Sequence, residues 1–281
     1  MDENRVCGSG PDVDGRQVES ALAWQAERFP QAAASLGPAP VDFLTVTDAW
    51  RRDGSMIAWL LDYQARFAAG MDERTKGAHL ISFYSHHLGI AAGIIYLRTG
   101  LVADLDPDSL AIRFEPFGEN DAEVFPADAR RFHFRFARCF RGDDGASLFH
   151  DAFVASLTPV IETLQARTGL SPVAQWRLAA DGIAGAFLEI GMASGEAERA
   201  MAAALAIVKR DGSPFSSAAL RYERIEAVCD GVAIERSFRL RGGCCLYYRT
   251  EGGDFCDVCV LLDEQTQKSR LRAHMERTGG L

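Results

Sequence analysis

The residues best suited to chemistry are four cysteines near the end of the 281-residue chain: Cys244, Cys245, Cys256 and Cys259. The first two are adjacent, ten residues follow, and the last two form a Cys-x-x-Cys pair. A Cys-x-x-Cys turn directs two sulfurs towards one metal, and thiolates are the ligands of structural zinc and of iron–sulfur clusters. Three further cysteines are scattered and are interpreted as buried or incidental thiols: Cys7, Cys139 and Cys229.

The spacing of the quartet leaves the metal open. Structural zinc sites usually repeat a two-residue spacer, because adjacent side chains diverge, whereas the iron–sulfur alternative matches neither of the usual ferredoxin spacings. Glycine pairs at 242–243 and 252–253 precede the two cysteine pairs. They predict a backbone flexible enough to bring the four thiols close together. Three arginines nearby offset the thiolate charge: Arg239, Arg241 and Arg249.

Composition narrows the possible partners and the compartment. Lys and Arg total 30 against 39 Asp and Glu, a net charge of −9, which argues against nucleic acid as a partner. The polar, acidic start has no apolar run of a secretory signal, so we expect a cytoplasmic protein whose thiols stay reduced. No nucleophile elbow, phosphate loop or dinucleotide fingerprint occurs in the sequence, so a redox centre at the quartet would need electrons from a partner protein.

The pattern Cys-Cys, ten residues, Cys-x-x-Cys resembles the FhuF-like ferric-siderophore reductases. An Asp-Gly hairpin leading into an Arg-bearing strand, then Cys-Cys-x-x-Tyr-Arg, carries this resemblance, which covers roughly residues 42–262. It implies that the four cysteines ligate a [2Fe-2S] cluster. The cluster would reduce an imported Fe(III)–siderophore, of the hydroxamate type, by one electron and release Fe(II). Two protein partners are also implied: a ferredoxin or flavoprotein electron donor, and transient contact with an inner-membrane siderophore permease.

Reduction needs no nucleophile or general base beyond the cluster. Any further functional residues are therefore expected to contact the substrate. The candidate substrate contacts are Tyr247, Tyr248 and Arg249, beside the quartet, and Trp176 on a predicted helix. Trp176 is interpreted first as a buried helix anchor and second as a stacking surface, and the two tyrosines as residues that shield the cluster or contact substrate. The adjacent His86 and His87 are interpreted as core or pocket histidines rather than metal ligands. The alternative function is a non-redox helical binding protein with a structural four-cysteine zinc site; kinship with siderophore-synthesis enzymes is a third option, for which no nucleotide site is visible.

Hydrophobic periodicity predicts the elements that position these residues. Helical spacing or composition is found in eight segments: 13–36, a short helix from Thr47 towards Arg52, 56–70, 80–97, 148–167, 173–193, 196–209 and 263–277. Strand-like alternation occurs at 110–114 and 132–136, and Asp230-Gly231 predicts a hairpin whose second strand is 232–240. Residues 80–97 are apolar all round and are predicted to be central.

These elements predict an α+β fold that is mainly helical, with a small antiparallel sheet and a C-terminal four-cysteine iron–sulfur module. Four segments are expected along the chain. Residues 1–40 form an N-terminal lead and helical segment, and 41–222 form a helical, reductase-like α+β domain. A hairpin and cluster-binding segment occupies 223–262, and a charged helical tail occupies 263–281.

Overall fold

A computed structural model describes residues 11–51, 53–118, 125–229 and 231–279. The predicted lead at 1–10, with Cys7, lies outside the described residues, as do Arg52 and Asp230. The described helices are α1 Pro11–Arg28, α2 Val46–Ala49, α3 Ser55–Gln64, α4 Glu73–Thr99, α5 Gly145–Thr168, α6 Pro172–Ser194, α7 Ala197–Val208 and α8 Glu264–Thr278. The described strands are β1 Ala32–Leu36, β2 Leu44–Thr45, β3 Val102–Ala103, β4 Ala111–Pro116, β5 Arg130–Phe136, β6 Cys139–Phe140, β7 Arg221–Cys229 and β8 Val232–Leu240.

The predicted class, mainly helical with small sheets, is confirmed. The principal sheet has the strand order β1-β5-β4-β2, and it is mixed rather than purely antiparallel because β1 runs parallel to β5. On β5 the alternation is as predicted: Phe132, Phe134 and Phe136 are fully buried while the residues between them are partly exposed. Two separate two-stranded ladders, β3–β6 and β7–β8, are antiparallel.

The prediction of helix through residues 32–36 is wrong. The alanines of Ala32–Leu36 favour a helix when judged by propensity alone. In the structure this segment is β1, and Ala32 pairs with Phe132 of β5. Backbone pairing with a strand one hundred residues away overrides the local preference, which no periodicity within the segment could reveal.

Helix α4 is the centre of the helical body, as its sequence predicts. Its N-cap Asp72 accepts a hydrogen bond from the Thr75 backbone N–H, and Gly100 ends it in a left-handed conformation with φ 71°. It is long and apolar enough to cross a membrane, and 78 % of its most apolar window is buried inside the protein. Its closest neighbour is α6, and the two helices approach through small residues such as Gly89 and Gly182.

The C-terminal elements have a small core of their own. Strands β7 and β8 pair along nine positions, from Arg221 with Leu240 to Cys229 with Val232. One side of this hairpin packs against α8 through five buried residues: Ile225, Ala227, Leu240, Leu271 and Met275. The predicted charged tail is therefore a packed helix that supports the hairpin leading to the cysteines. The division of the chain into four segments stays a prediction.

The contact between α4 and α6 makes a stability prediction. A Cβ atom at Gly182 would collide with Ser85 Oγ and lie 2.9 Å from the His86 backbone nitrogen. Gly182→Ala should therefore lower the free energy of unfolding by about 1–3 kcal/mol. Gly15→Ala is the matched control, since no atom lies within 4 Å of its Cβ position in α1, and it should raise that free energy by about 0.5–1 kcal/mol. Urea unfolding measures both, and equal effects would contradict the packing argument.

Candidate metal centre

The Cys-x-x-Cys turn is held at the end of β8 by backbone hydrogen bonds. The Arg241 N–H donates to the Val258 carbonyl at 3.2 Å, and the Cys259 N–H donates to the Cys256 carbonyl at 2.9 Å. From α8, the Gln267 side-chain amide donates to the Cys259 carbonyl at 2.7 Å. Strand and helix therefore fix the turn from two directions.

The adjacent pair, Cys244-Cys245, is positioned by the glycines before it. A Cβ atom at Gly243 would lie 3.0 Å from the Leu178 backbone nitrogen in α6, and one at Gly242 would lie 2.8 Å from Ser217 Oγ. These glycines are therefore needed for close approach, whereas the sequence suggested backbone freedom. Positive φ angles between the two cysteine pairs belong to Leu246, at 61°, and to Gly252, at 70°.

The four sulfurs lie within electrostatic reach of one another. A hydrogen bond between the thiols of Cys256 and Cys245 lowers the pKa of Cys245 and raises that of Cys256. Cys259 interacts electrostatically with both Cys244 and Cys256. The backbone N–H groups of residues 246 and 247 donate to the sulfurs of Cys244 and Cys245. Across the described ranges, no group of three or more His, Cys, Asp or Glu side chains is arranged for a single metal ion, and the ligand assignment stays a prediction.

Two buried arginines at the end of β8 face these thiols. Burial lowers the pKa of Arg241, but the charges of Cys245, Asp181 and Cys256 outweigh it and the net shift is upward. For Arg239 burial prevails and lowers the pKa, against an opposing effect of Asp181. Arg239 Nε and Nη1, and Arg241 Nε, are buried without a hydrogen-bond partner among the described residues.

Asp181 of α6 joins these arginines to the cysteine loop, residues 242–259. Its side chain is 1 % exposed, and its two carboxylate oxygens accept hydrogen bonds from the N–H groups of Gly242 at 2.7 Å and Gly243 at 3.0 Å. The same oxygens lie 3.8 Å from Arg239 Nη1 and 3.6 Å from Arg241 Nε. The net shift in the pKa of Asp181 is upward, because burial outweighs the two guanidinium groups and the two N–H donors, which act to lower it.

A cavity of about 380 Å³ opens beside the thiols, between α4, α6 and the cysteine loop. Cys245, Cys256 and Tyr247 form one wall, and the arginine pair and Asp181 also line it. From α4, His79 and His87 contribute imidazoles that stay neutral at pH 7. Burial, together with the charge of Arg241, lowers the pKa of His79 to about 4.

The four residues predicted to contact substrate occupy different environments. Tyr247 lines the cavity, and its side chain is 40 % exposed. Tyr248 is 39 % exposed and packs against Phe255, with the ring centroids 5.1 Å apart. Arg249 pairs with Asp72, the N-cap of α4, at 2.9 Å, so its charge also ties the cysteine loop to that helix. Trp176 packs edge-on against Phe215 at 5.2 Å, next to the main core. Their roles stay predictions.

Sequence reasoning missed two residues of this centre, Asp181 and His79. A signal for Asp181 was present, because it is the one charged residue in the run 178–188 of an apolar helix. An unpaired carboxylate would be costly to bury there, so a partner could have been inferred. His79 lies directly before the apolar run 80–97 of α4, and nothing local distinguishes it.

A comparison with known protein families matches residues 241–261 to the FhuF 2Fe-2S C-terminal domain. The matched range contains all four cysteines. None of the curated proteins matches the chain. The chain therefore carries a FhuF-type 2Fe-2S C-terminal domain, which confirms the resemblance over these residues and the kind of cofactor expected from the sequence. The resemblance upstream of residue 241 stays a prediction.

The surroundings of the thiols fit such a cofactor. A [2Fe-2S] cluster with four thiolates is anionic, and it is held entirely by cysteine sulfur. Four thiols are present, and the buried guanidinium N–H groups of Arg239 and Arg241 have no hydrogen-bond partner among the described residues. Such donors near the sulfurs are the groups that stabilise and tune an anionic centre.

The cavity histidines make a pH prediction. Burial, with a smaller effect of His86, lowers the pKa of His87 to about 3, against about 6.5 in an unfolded chain. Below pH 6.5 the imidazole therefore binds a proton in the unfolded state but not in the folded state, and the free energy of unfolding falls as the pH falls. The cost from His87 should be about 2 kcal/mol between pH 6.5 and pH 5. Urea unfolding of wild type and His87→Gln measures it; parallel pH profiles would contradict the assignment.

Proposed function

We propose that the chain is an iron–sulfur oxidoreductase that reduces the Fe(III) of a siderophore complex to Fe(II). The observation that carries the proposal is the position of Cys245 and Cys256, which belong to the FhuF-type 2Fe-2S domain and also form part of a cavity wall. A substrate in that cavity would contact the redox centre directly. We also propose that the protein works in the cytoplasm.

Cys244, Cys245, Cys256 and Cys259 are proposed to hold the cofactor, which when bound supplies electrons one at a time. The backbone N–H groups and the arginines around these sulfurs stabilise negative charge at them. The Cys-x-x-Cys turn, fastened to β8 and α8, keeps two sulfurs in place while charge changes. Little reorganisation of the chain is then needed when an electron arrives or leaves.

The cavity favours an oxygen-rich iron complex. Its volume of about 380 Å³ lies in the range of small-molecule sites and can hold part of a siderophore. The Arg239 and Arg241 guanidinium groups attract anionic oxygens, while neutral His79 and His87 add no positive charge to repel the ferric ion. Tyr247, with its polar tip and apolar ring, offers a surface against which a planar iron-binding group can pack.

Reduction by itself releases the metal. Hydroxamate and catecholate oxygens bind the hard Fe(III) ion tightly, and adding one electron lowers the charge of the ion and its preference for such ligands. The substrate gains one electron, and the electron comes from a donor protein, for which we propose a ferredoxin or a flavoprotein. No covalent bond of the ligand has to break, so this step requires no nucleophile or general base.

The cofactor assignment predicts the metal content of the protein. Protein purified without oxygen should be red-brown, should bleach with dithionite and should contain about two iron and two sulfide ions per chain. Cys256→Ser should lose both the colour and the reduction of a ferric hydroxamate, because the ligand set is then incomplete.

Cys139→Ser is the matched control for that experiment. Burial raises the pKa of the Cys139 thiol to about 12, so it stays protonated, and the variant should keep the colour and the activity. A colourless wild-type protein with one zinc per chain would instead establish the structural-zinc alternative. Loss of the cluster in Cys139→Ser would refute the ligand assignment.

The cavity assignment predicts different effects of two neighbouring tyrosines. Tyr247 lines the cavity and Tyr248 does not, although their side chains are almost equally exposed. Removing an aromatic contact with the substrate costs about 0.5–1.5 kcal/mol, so Tyr247→Ala should lower kcat/KM for a ferric siderophore by about 2- to 10-fold. Tyr248→Ala should change it by less than this. Steady-state reduction followed with an Fe(II) chelator measures both, and a larger loss in Tyr248→Ala would place the substrate elsewhere.

A further inference from the structure

Asp181 is buried at the junction between the helical body and the cysteine module. It lies in the middle of α6 with 1 % of its side chain exposed, and it caps the two glycine N–H groups that precede Cys244. Hydrogen bonds from Gly242 and Gly243 already occupy both of its oxygens at 2.7 and 3.0 Å. The guanidinium groups therefore stand farther away, at 3.6 and 3.8 Å, and interact with it through charge.

This arrangement leaves the two arginines only partly neutralised. One carboxylate faces two guanidinium groups, so one positive charge remains uncompensated before the thiols are counted. The free N–H groups of Arg239 and Arg241 are buried, and the Arg241 guanidinium donates to the sulfur of Cys256. Burying a charge without a partner is costly, so these donors are poised for an anionic centre at the cysteines.

We propose that Asp181 is a positioning residue that sets the reduction potential of the iron–sulfur centre, by fixing the Gly242–Gly243 loop and by offsetting the charge of Arg239 and Arg241. The proposal rests on the cofactor of the proposed function. In a poorly solvated site, charges a few ångströms apart interact strongly, so the carboxylate opposes the added electron while the guanidinium groups favour it. The reduction potential then depends on the charges of Asp181, Arg239 and Arg241 as well as on the thiolates.

The test measures midpoint potentials by anaerobic titration of the visible spectrum, with the signal of the reduced centre in electron paramagnetic resonance as a second readout. Asp181→Asn keeps the shape and an acceptor for one of the two glycine N–H groups, and it removes the charge. Its potential should rise, with at least a tenfold change in the equilibrium constant for reduction, about 59 mV for one electron. Arg241→Gln should shift the potential in the opposite direction.

Opposite shifts separate this role from a structural one. If Asp181 and Arg241 only held the loop, both variants would lose the cluster or broaden its spectrum. Their reduction potentials would then not shift in opposite directions. Glu198→Gln is the control: it removes one carboxylate that pairs with Arg224 on the surface, where solvent and salt screen the charge, and it should leave the potential unchanged. If Asp181→Asn does not fold, Arg239→Gln is measured in its place. A reduction potential of Arg239→Gln equal to that of wild type would overturn the proposal.

The outcomes also separate this proposal from the function proposed above. Shifted potentials in a protein that does not reduce ferric siderophores would support the role of Asp181 and refute the reductase. Unshifted potentials in an active reductase would do the reverse. An anaerobic wild-type protein without iron and sulfide would overturn both.

Discussion

The buried carboxylate of Asp181 links the two parts of the molecule that the proposed chemistry needs. It belongs to α6, the helix packed most closely against central α4, and it binds the backbone of the loop that carries Cys244 and Cys245. Without this contact, the N–H groups of Gly242 and Gly243 would be buried without these acceptors, and both neighbouring arginines would lose their negative partner. This side chain of the helical body therefore helps to position half of the thiols.

Burying Asp181, Arg239 and Arg241 together costs free energy. The cost of removing charges from water is offset only when the ion pairs are close and nearly every donor and acceptor has a hydrogen bond. Here several guanidinium N–H groups have no partner within the described residues. An anionic cofactor would complete the cluster. The same logic explains why the neighbouring imidazoles of His79 and His87 stay neutral, since each is buried beside an existing positive charge or an apolar ring.

The cysteine loop is also fastened away from Asp181. The backbone N–H of Glu251 donates to the Ala69 carbonyl at 3.0 Å, and Arg249 pairs with Asp72, which at the same time caps α4. On the other side, Gln267 of α8 reaches the Cys259 carbonyl. The loop is held at its start, middle and end, which restricts the positions of all four thiols even though two of them are adjacent in sequence, a spacing unusual for one metal.

The sequence by itself determined the cysteine quartet, its kind of cofactor, the central helix and the class of fold. The quartet, the helix and the class of fold depend on local spacing and periodicity, as in the alternation of Phe132, Phe134 and Phe136. The kind of cofactor came from the resemblance to a known family, because the spacing left the metal open. The sequence could not reveal that Ala32–Leu36 is a strand, that Asp181 supports the quartet, or that Tyr247 rather than Tyr248 lines the cavity. Only the tertiary structure decided these, because strand pairing, compensation of buried charge and the shape of a cavity depend on residues that are distant in the chain and meet only after folding.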